Sequence, residues 1–245
     1  MSADLKPKRN QSELTSPSEA GEPASSSDEP AARRLREFGP VGILAVLVIL
    51  AGNFLFLPLS ALLVVVWARL SDTPWRELGY VRPKSWVRTL AFGIIFGVGF
   101  KLVMKAIVMP LLGAPPINEA YHFLAGNTAA IPGMLWLIIA GAGFGEETVF
   151  RSYLFERFGK LFGPRVWTKT LTVVLTSIWF GAIHYPVQGL AGAEQATIVG
   201  LVFGTIFAIR RQIFPLMVAH AAFDLTALAL ISWDVEAKVA HLLFK

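Results

Sequence analysis

Glu146 and Glu147 stand side by side in Gly141-Ala-Gly-Phe-Gly145-Glu146-Glu147-Thr-Val-Phe-Arg151, after a run made of Leu, Ile, Ala, Gly and Phe. A carboxylate inside an apolar helix is costly, about 2.5 kcal/mol or more at mid-bilayer. Such groups persist where they are paired, hydrated or reactive. Glu147 and Arg151 are four residues apart with the carboxylate nearer the N-terminus, the favourable order for a helical ion pair. Glu146 is turned by about 100° from its neighbour on a regular helix and faces elsewhere. The spacing predicts that Glu147 is held by Arg151 while Glu146 points into a cavity. The other arrangement, three surface charges at a helix end, conflicts with the apolar Val149, Phe150, Tyr153, Leu154 and Phe155 that precede Arg157.

Two further segments carry ionisable groups. His184 closes an apolar run in Phe180-Gly-Ala-Ile-His184, and His220 lies four residues before Asp224 inside the last apolar block. An Asp one turn from a His fixes the imidazole tautomer or holds it charged. Alone, His184 reads as an interfacial residue and His220/Asp224 as a structural bridge. Together with the glutamates they are expected to converge on one site. Carboxylates and imidazoles around a water suggest hydrolysis, with a glutamate and a histidine as general base and a His–Asp unit at the oxyanion. No Ser or Cys sits in a nucleophile setting, so direct attack by water is expected without a cofactor. The alternative is a zinc ion on His184, His220 and Glu146, although the same-helix HExxH signature is absent.

The elements that must position these groups follow from composition. The 245 residues are 54% hydrophobic and 16% charged, with a mean hydropathy of +0.57. A soluble domain carries about a quarter charged residues, and several apolar blocks here approach or exceed the roughly 20 residues that span a bilayer. The expected fold is all-α, a polytopic transmembrane bundle of about six to eight membrane helices. Continuous rather than alternating apolar runs exclude a β-barrel. The chain has no cysteine, which excludes disulfides and thiol chemistry. The net charge of +5 lies in the loops and reflects topology rather than nucleic-acid binding.

Residues 1–40, rich in Ser, Glu, Pro and Ala, are expected to be a disordered tail, and residues 41–245 one membrane-embedded domain. Val41–Leu70 is long for one span and short for two. Gly52-Asn53 favours a tight hairpin, which puts Arg33, Arg34 and Arg36 on the side of the basic loop from Arg69 to Arg88. Apolar blocks follow from Leu90 to Leu112, Met134 to Phe158, Val166 to His184, Gln195 to Ile209 and Ile213 to Ser232. Basic residues cluster at Arg157–Lys169 and at Arg210-Arg211, while loops 113–133 and 185–195 have none. The positive-inside rule then puts the basic loops and the tail in the cytoplasm. Glycine pairs at four-residue spacing, Gly93/Gly97, Gly141/Gly145 and Gly200/Gly204, suit close helix approach, with Gly141/Gly145 expected to seat a neighbour beside Glu146.

Three motifs in order, Glu146-Glu147…Arg151, Phe180…His184 and His220…Asp224, resemble the EExxxR, FxxxH and HxxxN/D pattern of the CAAX protease and bacteriocin-processing (CPBP) family of intramembrane endopeptidases. The segment Trp75-Arg76-Glu77-Leu78-Gly79-Tyr80 with Arg82-Pro83 is similar to one that precedes that family's core. The resemblance implies a peptidase in which Glu146 and His184 activate water, His220 and Asp224 line the oxyanion site, and Glu147 with Arg151 holds the helix. It also implies a membrane-associated protein or peptide substrate in the plasma membrane. Where other members have Asn this chain has Asp224, and an ionised Asp cannot donate to an oxyanion. Asp224 is therefore expected to orient and charge His220, or to be protonated itself. The competing expectation is a non-enzymatic immunity or partner-binding factor that retains the fold. Lys101 and Lys105, one turn apart in an apolar helix, are expected to snorkel or pair, or in the case of Lys101 to meet a substrate carboxylate or Glu147. His122 and His241 are expected to be loop residues.

Overall fold

Continuous apolar runs cross hydrocarbon as helices, because every N–H and C=O then closes within its own segment. The computed structural model, which describes residues 29–56 and 58–244, is built this way, with no strand among the described residues. Its helices are α1 (Glu29–Arg36), α2 (Pro40–Ala51), α3 (Leu59–Leu70), α4 (Trp86–Leu111), α5 (Thr128–Phe162), α6 (Val166–Arg210), α7 (Phe214–Ser232) and α8 (Glu236–Ala240). Helices α4 to α7 are each long and apolar enough to cross a membrane. The protein is an all-α polytopic membrane protein.

Helix α6 consists of two helical legs. Gly189 breaks it at φ 63° and ψ −163°, a conformation essentially confined to glycine. The two legs, 166–188 and 190–210, fold back on each other through glycines. A Cβ at Gly200 would lie 2.9 Å from Ser177 Cα, and one at Gly204 3.3 Å from Val173 Cγ1. The expected loop over 185–195 thus contracts to a turn at Gly189, with Pro186 tolerated near the end of its leg.

Helices α2 and α3 form the expected hairpin, each only 12 residues long. The bend is locked by a reciprocal pair: Ser60 N–H donates to Asn53 Oδ1 and Asn53 N–H to Ser60 Oγ, both at 2.9 Å. Counting the two short helices of this hairpin and the two legs of α6, seven apolar helical segments occur among the described residues.

Helix α4 lies against α7 along its glycines, where a Cβ at Gly93 would sit 2.7 Å from Val218 Cβ and one at Gly97 2.9 Å from Ala222 Cβ. The approach of α7 to α5 is at Gly143, whose Cβ would lie 3.0 Å from Met217 O; Gly145 instead faces Pro58. The glycine that admits α7 beside Glu146 is therefore offset from the expected Gly141/Gly145 pair.

The basic loops gather at one end of the bundle. Glu77 ties them: Arg36 and Lys160 each approach its carboxylate at 3.7 Å, and Arg211 Nη2 donates to its carbonyl at 3.3 Å. Helix α1 docks at this end, where Trp67 Nε1 donates to Leu35 O and Arg157 Nη1 to Arg36 O. Residues 29–36 are thus an anchored helix where composition alone suggested disorder; residues 1–28 of the expected tail lie outside the described residues. At the opposite end Lys105 Nζ pairs with Glu236 Oε1 at 2.8 Å, Glu236 Oε2 accepts from Asn118 N–H at 3.3 Å, and Gly126 N–H donates to Ser232 O. Lys105 is therefore a buried ion-pair partner, and α8 is fastened to α4.

Candidate active site

Helix α5 does not wind as a regular α-helix around the two glutamates. Leu137–Glu146 and Thr148–Tyr153 are π-helical, a wide winding that is rare and concentrated at functional sites. It still brings Glu147 Oε1 to 2.9 Å from Arg151 Nη1, and both side chains are fully buried. The guanidinium lies over the Phe180 ring at 4.6 Å and over Phe203 at 5.6 Å, so ring faces replace some of the hydration it has lost.

Glu147 has a second partner. His220 Nδ1 stands 2.7 Å from the same Oε1. An ionised carboxylate only accepts, so Nδ1 carries the proton and Nε2 faces the other way. Nε2 lies 3.7 Å from Glu146 Oε2 and 3.8 Å from Asp224 Oδ2, too long for direct hydrogen bonds and short enough for strong charge interaction. The carboxylate that orients His220 is thus Glu147, 73 residues away in sequence, while Asp224 faces Nε2 from one turn along α7.

His184 is held from its own helix, with Nδ1 2.7 Å from Phe180 O. A carbonyl oxygen accepts, so the proton is on Nδ1 and the lone pair of Nε2 is free. Phe180 fixes this geometry. Its ring meets His184 edge-on at 4.6 Å, His220 at 6.0 Å and Phe150 at 4.9 Å. The motif phenylalanine thus separates the two imidazoles and roofs Arg151.

Glu146, His184, His220 and Asp224 all line one cavity of about 210 Å³. Glu146 and Asp224 keep part of their side chains open to it, whereas Glu147 does not. Its wall continues through Lys101, Gln188 and Gln195 to Tyr121 and Asn118 of the α4–α5 connection. Gln188 Nε2 donates to the Tyr121 hydroxyl at 3.4 Å, and burial together with the charges of Asp224 and Glu146 pushes the Tyr121 phenol up from its ordinary range. Tyr121, Gln188 and Gln195 carry no sequence signal of their own; Gln195 reaches the cavity because the turn at Gly189 folds the second leg of α6 back over it, while Gln188 comes from the end of the first leg and Tyr121 from the α4–α5 connection. His122 lies in the α4–α5 connection and His241 beyond α8, both outside this cavity.

Among the described residues no three His, Cys, Asp or Glu side chains come together so as to hold a metal ion. His184, His220 and Glu146 line the same cavity. What the arrangement offers is a partly open carboxylate, an imidazole with a free lone pair, and a second imidazole whose outer nitrogen faces the same space.

Residues 128–226 match the family described as type II CAAX prenyl endopeptidase Rce1-like, a stretch that includes all seven motif residues from Glu146 to Asp224. Among curated proteins none matches the chain, and none among solved structures.

Proposed function

The chain belongs to the type II CAAX prenyl endopeptidase Rce1-like family across residues 128–226, and from that premise we propose that it is an intramembrane endopeptidase. It hydrolyses a peptide bond of a membrane-associated protein or peptide by direct attack of water. Glu146 is the base. Its carboxylate takes a proton from a water that it shares with His184 Nε2, and the water oxygen bonds to the scissile carbonyl carbon. The carbonyl oxygen, now negative, accepts a hydrogen bond from His220 Nε2–H. The C–N bond then breaks, and the proton held by Glu146 passes to the departing amine. No metal takes part in these steps.

The observation that supports this reading most is the division between adjacent glutamates. Glu147 is enclosed and saturates its best oxygen with Arg151 and His220, while Glu146 opens into the cavity opposite His220 Nε2. Asp224 gives His220 a second negative neighbour and so favours the doubly protonated imidazole that can donate. We place the protein in the plasma membrane, with the basic end and the N-terminal tail in the cytoplasm, because that end gathers the arginines and lysines of three separate segments.

The test is cleavage of membrane-anchored peptide libraries by the purified protein in lipid nanodiscs, read by mass spectrometry. Products with one added water per cut, absent with Glu146→Gln and with His184→Ala, are expected. Cleavage that persists in a folded Glu146→Gln protein sinks the proposal. So does a wild-type protein that binds partners but cuts none of the library, which fits an immunity or partner-binding factor instead.

A further inference from the structure

Lys101 is the cavity-lining charge that these steps leave unused. It sits in the middle of α4, outside the matched segment, and is only 6% exposed. Its ammonium donates to Gln195 Oε1 at 3.1 Å and lies 4.7 Å from the Phe223 ring centroid. An ammonium has three donors, and this one meets a single neutral acceptor. No carboxylate comes within 4.0 Å of it among the described residues. The contrast with Lys105, one turn on, is direct: there Glu236 closes the charge at 2.8 Å. Asp224 is near enough to act on Lys101 electrostatically but does not touch it. A buried cation without a counter-charge is unfavourable in hydrocarbon, unless an anion arrives with the ligand.

The surroundings are arranged for such an arrival. Gln195 comes from the second leg of α6, and Phe223 precedes Asp224 on α7, so neighbouring side chains of α7 serve the ammonium and the proposed reaction centre. Both Lys101 and Gln195 line the cavity that holds Glu146 and His184. We propose that Lys101 and Gln195 form a carboxylate-binding subsite that holds an anionic group of the peptide substrate. The proposal rests on the cavity being the substrate site described above. The carboxylate comes from a chain terminus or from an Asp or Glu side chain close to the scissile bond, and either source presents the same two oxygens to the ammonium.

The test separates these sources and does not depend on turnover. Full-length protein carrying Glu146→Gln is placed in phosphatidylcholine nanodiscs, and binding is measured for three lipid-anchored peptides that are identical except at the C-terminal position. The first ends in a free carboxylate, the second in an amide, the third in an amide with Asp at the last position. At least one carboxylate peptide is expected to bind at least about thirtyfold tighter than the plain amide, as for a buried charge pair deprived of one partner. Tight binding of the first peptide alone assigns a chain terminus; tight binding of the third as well assigns side-chain carboxylates. The preference is expected to vanish with Lys101→Met and to weaken with Gln195→Leu. Equal affinity for all three peptides, or binding of none, overturns the subsite without needing any Lys101 variant to fold, and so does a preference that survives Lys101→Met. If the subsite behaves as expected while the wild-type protein cuts none of the three, the hydrolytic reading fails alone.

Discussion

Helix α5 carries two buried carboxylate–arginine pairs, Glu147–Arg151 and Glu156–Arg157, and they are finished differently. Glu156 receives Arg157 through both oxygens, Nε at 2.5 Å and Nη2 at 2.8 Å, and Lys160 adds a further contact. Arg157 spends its remaining nitrogen on Arg36 O and stacks on Trp67 at 4.5 Å. In the other pair a single oxygen of Glu147 serves Arg151 and His220, while Glu147 Oε2 and the Arg151 terminal nitrogens have no well-aligned hydrogen-bond partner among the described residues. Half-satisfied groups in a low-dielectric setting are costly. The first pair is a closed fastening at the basic end. The second keeps unspent polarity next to an imidazole and an open cavity, which is what a reacting group needs and a fastening does not.

This contrast can be broken by substitution. Glu146→Gln is expected to lower kcat/KM by about 10²–10⁴-fold, the usual contribution of a positioned general base, with thermal unfolding unchanged; a parallel loss of stability would move Glu146 into the fastening class. Glu147→Gln should cost about 3–5 kcal/mol of stability, because it leaves the Arg151 charge buried without its partner, and should lower turnover as well, since His220 loses its orienting acceptor. Glu156→Gln should give a similar destabilisation, with kcat per folded molecule retained. If active-site titration finds kcat reduced there too, the two pairs are not separable. Gly189→Ala, which forces a side chain into a glycine-only conformation, is expected to cost about 1–3 kcal/mol and to raise KM by shifting Gln188 and Gln195.

The smallest expected effect concerns Tyr80, in the basic loop, whose hydroxyl lies 2.6 Å from Thr148 Oγ1 on α5. Burial pushes its phenol up to about 12. The folded state therefore keeps the proton where the unfolded chain releases it, so this contribution is full below pH 10 and is lost as pH rises from 10 towards 12. Tyr80→Phe should flatten the alkaline fall in melting temperature within that window, and an unchanged slope would remove Tyr80 as its source.

Much of this arrangement could be read before the fold was known, where the information is local. The four-residue spacing gives the Glu147–Arg151 pair, Gly52-Asn53 gives the α2–α3 bend, and the basic residues give a common end of the bundle. What could not be read depends on which helices become neighbours. Glu147 meets His220 across 73 residues, Lys105 meets Glu236 across 131, and Glu77 collects partners from two helices and the α6–α7 connection; no spacing encodes these. The π-winding of α5 also escaped, because a period-3.6 reading of Leu, Ile and Gly cannot sense a wider turn. The expected role of Asp224 in orienting His220 shifted to Glu147 for the same reason: the nearer residue on the helix was not the nearer residue in space.

The winding of α5 sets how this chain can change length. A π-turn holds one more residue per turn than the hydrogen-bonding register of an α-helix requires. A one-residue deletion between Leu137 and Glu146 could therefore be absorbed by tightening the helix, with every backbone hydrogen bond remade and the apolar face still apolar. Such a protein would insert and fold. Yet the side chains of the tightened stretch would be re-aimed relative to Glu146, and a deletion that falls after Gly143 would take that glycine off Met217. In this segment, then, tolerance to insertion and deletion and retention of the cavity are separate properties, and length variants that express well are expected to be misaimed at Glu146.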